Sequence, residues 1–195
     1  MKFSGFQIIG RENIPDDKAI VIAGNHTSYF DAPMMSCAFP YHITYLAKEE
    51  FAHNIITQKL FSALGAVFLK RNEADIMALK KALRVLKDNK AIGIFAEGKR
   101  NLDSNMSDFK QGTAFIAYKA GVKILPVAIL NPKHFFMFWK RDKKIVIGKP
   151  IDIVVPSMEQ DDRKKLTMPE ILTQITVDLQ NNIGDLLDEY SIHKN

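Results

Sequence analysis

The chain has one cysteine and one tryptophan in 195 residues, and no long apolar run. A lone Cys37 cannot close an intramolecular disulfide and excludes a zinc site built from several thiolates, so a reducing compartment is the expected setting. Its strictly apolar runs, such as Ala19–Gly24 and Gly65–Leu69, fall far below the roughly 18 residues of a membrane span. Met1–Arg11 has no apolar stretch long enough for a signal peptide. The expectation is a cytoplasmic protein with no transmembrane span. Gly/Ser linkers, low-complexity tracts and internal repeats are missing as well, which argues for one domain over residues 1–195. No HExxH, CxxC, P-loop or GxGxxG pattern occurs, so neither a metal nor a nucleotide cofactor is expected.

The charge leans to one sign: 27 basic against 22 acidic residues, a net +5. Such an excess suits phosphorylated metabolites or anionic lipid surfaces. It would also suit nucleic acid, but the bases are spread along the chain without a recognisable module, so no nucleic-acid partner is expected.

Short β-rich apolar runs alternate with longer segments of helical period, the pattern of a three-layer α/β domain. Strands are expected at Phe6–Ile9, Ala19–Ala23, His42–Ala47, Gly65–Leu69, Ala91–Phe95, Ile124–Leu130 and Lys144–Ile147. Helices are expected near Asp31–Cys37, Glu49–Leu64, Glu73–Asn89 and Gly112–Ala120, with a last one at about Pro169–Tyr190. Within Glu73–Asn89, Ile76, Leu79, Leu83 and Leu86 form an apolar stripe with lysines opposite.

Four blocks carry chemistry. NHTSYFD, Asn25 to Asp31, follows a strand, and His26 and Asp31 stand five apart across the turn. A neutral imidazole can take the proton that an alcohol loses as it attacks a thioester. A carboxylate on the other ring nitrogen would fix its tautomer. Taken singly, the same residues read as a turn histidine and a helix-start aspartate. GAVFLKR, Gly65 to Arg71, and FAEGKRN, Phe95 to Asn101, are strands that end in bases. They place cations on the C-terminal edge of a sheet, where Arg71 and Arg100 could fork around a phosphate monoester and Glu97 hold an arginine or a substrate hydroxyl. The bland alternative for these bases is a solvated loop. ILPVAI, Ile124 to Ile129, puts a proline inside an apolar strand, which usually marks an edge or first position.

The order NHTSYFD, GAVFLKR, FAEGKRN, ILPVAI resembles the four-block signature of the glycerolipid acyltransferase family, which includes the 1-acyl-glycerol-3-phosphate acyltransferases. The likeness runs from GRENIPDD through FKQGTAFIAYKAGVKILPVAI to GKPIDI, about residues 10–153, with the C-terminal helix outside it. It implies a mixed central β-sheet flanked by helices, a glycerol-3-phosphate acyltransferase-like α/β fold. It implies that His26 is the general base, Asp31 its partner and Asn25 a supporting residue. Arg71, Glu97, Gly98 and Arg100 would bind the glycerol phosphate, with Lys99 adding a cation, and Pro126 would shape the site. Coenzyme A or acyl carrier protein would bring the acyl chain as a substrate, not a cofactor. Lysophosphatidic acid would accept it at sn-2 to give phosphatidic acid. The chain departs from the usual pattern at Ala96 (proline in the family), Lys99 (often threonine) and Asn101 (often serine), which bears on acceptor preference. Transfer to another lysolipid, or a non-catalytic anionic-lipid-binding protein of the same fold, are the alternatives.

Many relatives begin with an amphipathic or apolar segment, where this chain has MKFSGFQII. Peripheral attachment to an anionic membrane surface is therefore expected elsewhere. Phe136, Phe138 and Trp139 beside Lys140 and Arg141 suit a headgroup boundary, where rings sink and cations meet anionic lipid. Core packing or a hairpin tip is the other reading of that segment.

Overall fold

The structure is a computed structural model that describes residues 6–48, 59, 65–69, 74–101, 106–132, 142–153 and 166–191. Seven strands form one sheet: β1 (Phe6–Ile9), β2 (Val21–Gly24), β3 (Ile43–Lys48), β4 (Ala66–Leu69), β5 (Ala91–Phe95), β6 (Ile124–Leu130) and β7 (Lys143–Ile147). Their spatial order is β1-β7-β6-β2-β5-β3-β4. Neighbours pair in parallel throughout, except β6 and β7, which are antiparallel. The sheet is therefore mixed, as expected.

Its central strands are apolar on both faces because both are covered. Ile20, Ile22, Leu125, Val127 and Ile129 pack with Met34, Met35 and Ala38 of α1 (Asp31–Ala38) on one side. Val21, Ala23, Ile92 and Ile124 pack on the other side against α2 (Ala74–Lys87), α3 (Gly112–Ala120) and α4 (Met168–Ser191). The stripe of α4 lands as read, with Ile171, Leu172, Ile175, Leu179 and Ile183 buried. In α2 the buried line shifts to Ala82 and Leu86 with Leu79 partly covered, while Ile76, in the first turn, is exposed. Of the expected helix Glu49–Leu64, all but Lys59 lies outside the described residues. No helix among the described residues is long and apolar enough to cross a membrane.

Pro126 corrects the edge reading. It is the third residue of β6, a central strand, level with Ala23 of β2. Regular β7 pairing stops at Ile147 opposite Val127, and the Pro126 carbonyl accepts from Gly148 N–H at 2.9 Å. The missing proline N–H thus falls at the end of the ladder toward β7, where Gly148 still donates to Pro126 with no bond in return, and pairing resumes only as a bridge between Ile124 and Ile151.

One close approach in the core supports the site. A Cβ at Gly93 would lie 2.4 Å from Tyr45 Cε1 and 2.8 Å from Cδ1. Gly93→Ala is expected to cost about 1–3 kcal/mol by overpacking, read as a lower urea midpoint. An unchanged midpoint would mean that the Tyr45 ring is free to move aside.

Candidate active site

The parallel strands β2 and β5 are adjacent, with Gly24 level with Phe95, so their two following loops emerge side by side. The chain leaves β2 toward α1 on one face and β5 toward α3 on the other. Neighbouring strands whose connections part in this way open a crevice at their C-terminal ends, the usual ligand position in α/β sheets. NHTSYFD and FAEGKRN meet there.

Asp31 begins α1, where a negative charge is favoured by the helix dipole, and it is fully buried. Its Oδ2 accepts from the N–H groups of Thr27 and Ser28, both at 2.8 Å, and lies 2.7 Å from His26 Nδ1. With a carboxylate as the acceptor, Nδ1 carries the ring proton, and Nε2 keeps its lone pair for the substrate. The ring plane is set from below: His26 stacks on Phe95 at 4.1 Å between centroids and 12° between planes. Phe95 in turn lies parallel to Tyr45, 6.2 Å away. The Tyr45 hydroxyl donates to Ala32 O and pairs with Ser36 Oγ, which ties the stack back to α1. Burial pushes this phenol above the ordinary tyrosine range, so it stays a donor across any working pH.

Asn25 faces away from this pair. Its Oδ1 accepts from Ile129 N–H at 2.8 Å and its Nδ2 donates to Ile129 O at 3.1 Å. The side chain acts as one more ladder position joining the end of β2 to β6, which holds His26 at a fixed height. The Ser28 hydroxyl accepts from Phe30 N–H through its Oγ at 3.2 Å, a helix-start turn.

Glu97 is 2% exposed, with both oxygens engaged. Oε1 accepts from the backbone N–H of His26 at 2.7 Å, and Oε2 accepts from Ser107 Oγ at 2.7 Å and Ser107 N–H at 3.2 Å. Asn101 N–H closes the other side by donating to His26 O at 2.8 Å. Arg100 stacks over the Tyr29 ring, 3.5 Å from its centroid, and donates to the Tyr29 hydroxyl at 2.8 Å. The arginine of the basic block is thereby attached to the block that carries the histidine. Gly98 turns the chain with φ +69°, and Lys99 is exposed.

Two expected groups cannot be placed. Arg71 lies outside the described residues, as do Phe136, Phe138, Trp139, Lys140 and Arg141. Pro126 is placed, but on the sheet face that carries α4: Pro126 Cγ and Leu186 Cδ1 both crowd the position a Gly148 Cβ would take, at 2.9 and 3.0 Å. The dyad stands on the face of α1. Among the described residues, no group of three or more His, Cys, Asp or Glu side chains could hold a metal ion. Reading the residues one by one missed Phe95, Tyr45, Tyr29 and Ser107 as parts of the site. Phe95 and Tyr29 stood inside the quoted blocks, so position alone could have flagged them.

A histidine held by a buried carboxylate, in a loop joined to an arginine at the strand ends, is an arrangement able to accept a proton beside a cation. The family described as acyltransferase matches residues 5–130, and this chain belongs to it. Among its relatives, the 1-acyl-sn-glycerol-3-phosphate acyltransferase of Borreliella burgdorferi is 30% identical over 78% of the chain. That of Bacillus subtilis is 27% identical over 93%. The chain spans 60% of the Borreliella protein's length and 92% of the Bacillus protein's. The crystal structure of the 1-acyl-sn-glycerophosphate (LPA) acyltransferase PlsC from Thermotoga maritima superposes with a TM-score of 0.68 at 26% identity, covering 94% of this chain and 73% of that one.

Proposed function

We propose that this chain transfers a fatty acyl group from acyl-CoA or acyl carrier protein to the sn-2 hydroxyl of lysophosphatidic acid, giving phosphatidic acid at an anionic membrane surface. The observation that carries the reading is the 2.7 Å His26–Asp31 contact, with Arg100 attached to the same loop through Tyr29. His26 Nε2 takes the hydroxyl proton as the oxygen attacks the thioester carbonyl. The tetrahedral intermediate then collapses with loss of the thiolate, which takes the proton back from the imidazolium, so ester and free thiol leave together. Asp31 stabilises the imidazolium between the two steps. Arg100 and Lys99, together with Arg71 of the GAVFLKR block, supply the charge for the phosphate monoester. Phe136, Phe138, Trp139, Lys140 and Arg141 have the composition of a headgroup contact.

The test is thiol release from a long-chain acyl-CoA with and without lysophosphatidic acid. Acceptor-dependent release by the wild type is the expected result. Wild type that stays silent with this acceptor but turns over another lysolipid would overturn the acceptor. Silence with every lysolipid and with acylated carrier protein would overturn the activity.

A further inference from the structure

The segment Met106–Lys110 has no regular secondary structure, yet it is docked onto the basic turn at two points. Ser107 donates to Glu97 Oε2, and Lys110 N–H donates to Ala96 O at 2.9 Å. Lys110 consequently crosses the turn at Gly98. A Cβ built on Gly98 would lie 2.9 Å from Lys110 Cδ, 3.0 Å from Cε and 3.2 Å from Nζ. The stem lies flat against the glycine backbone, and the ammonium ends beside it. Gly98 serves twice here: it takes the positive φ, and it leaves the room that the lysine stem fills.

Lys110 is exposed, but its stem lies along the Gly98 backbone, which carries the ammonium to the basic turn. No side-chain hydrogen bond or ion pair is made by Lys110 among the described residues. Neither described carboxylate nearby holds it in an ion pair: both Glu97 oxygens are turned to His26 and Ser107, and exposed Asp108 makes no ion pair among the described residues. Lys99 and Arg100 follow Gly98 directly in the chain. Three cations gathered at one turn, none of them in an ion pair with a carboxylate among the described residues, suit a doubly charged oxyanion better than a singly charged one.

We infer that Lys110 is a further acceptor-binding residue, which contacts the phosphate monoester and sets the preference for it over a phosphodiester head group. The inference rests on the acceptor reading above. Lys110→Met keeps an apolar stem over Gly98 and removes the charge. It is expected to raise KM for lysophosphatidic acid about tenfold with kcat nearly unchanged. Lys110→Arg should restore most of the affinity. The preference for lysophosphatidic acid over lysophosphatidylcholine should narrow by the same factor in Lys110→Met.

An active wild type whose KM does not move in Lys110→Met would overturn the inference. So would a fall in kcat at constant KM, because that is the mark of a stem that merely packs on Gly98. A wild type silent toward lysophosphatidic acid removes the acceptor reading first, and this inference with it; that outcome is seen in the wild type alone.

Discussion

His26→Ala is expected to lower kcat/KM for acceptor-dependent thiol release by about a thousandfold, within the range that a positioned general base contributes. The structure separates the two members of the pair. Removing the imidazole removes the base, but little of the fold depends on the ring: it is part-exposed and stacks on Phe95. The variant should therefore unfold near the wild-type midpoint. Asp31→Asn behaves differently. Its amide oxygen can still accept from Thr27, Ser28 and His26, so loop and tautomer survive. The amide nitrogen would then take the place of Oδ1, which is buried and has no hydrogen-bond partner. Two buried donors would be left facing nothing, and the imidazolium would lose its counter-charge. A loss of about a hundredfold or more in kcat is expected, with a lower urea midpoint from the unsatisfied amide. A folded His26→Ala that keeps a tenth of the activity would show that another group takes the proton.

The elements were legible because their signals are local. Strands β5 and β6 and helix α3 stand where the apolar runs and glycine punctuation placed them, and α4 follows its stripe of Ile and Leu. The His26–Asp31 contact is just as local, five residues across one turn, but its spacing alone reads equally as a turn histidine and a helix-start aspartate, and the order of the four blocks is what singled it out. What the sequence could not convey depends on strand order. That β5 lies beside β2, with Gly24 level with Phe95, is a fact of topology. It alone brings Phe95 under His26 and Glu97 beside the His26 amide. Pro126 was misread for a related reason: the lapse in pairing that tolerates it arises from β7, which ends about twenty residues further along the chain. Asn25 was expected beside the dyad, yet its amide is used by Ile129, 104 residues away in sequence. A side chain's partner across a sheet leaves no local trace.

Glu97 is where the two views make opposite forecasts. As a ligand for the acceptor or for an arginine, it would act on substrate affinity, and its loss would raise KM while leaving the fold alone. As the structure has it, the carboxylate joins the end of β2 through His26 N–H to the segment at Ser107, in a place that is almost wholly dry. Glu97→Ala would strand the two backbone donors, each at about 1–3 kcal/mol, so a total loss of about 2–6 kcal/mol is expected, the Ser107 hydroxyl being able to turn to another partner. That is a large share of the 5–15 kcal/mol typical of a domain. Glu97→Gln keeps one carbonyl oxygen and turns an NH2 toward the other partner. Against the backbone N–H of His26 this is donor to donor; against Ser107 the hydroxyl can rotate to accept, but the N–H cannot. Gln should therefore fall between wild type and Ala in both urea midpoint and kcat, with KM for the acceptor nearly constant across the series. kcat would drop about a hundredfold in the alanine variant, because the histidine backbone loses the bond that sets its height above Phe95. If Glu97→Gln instead unfolds like wild type and raises only KM, the carboxylate meets the acceptor directly, and His26 must be held by the remaining contacts to Asp31, Asn101 and Phe95.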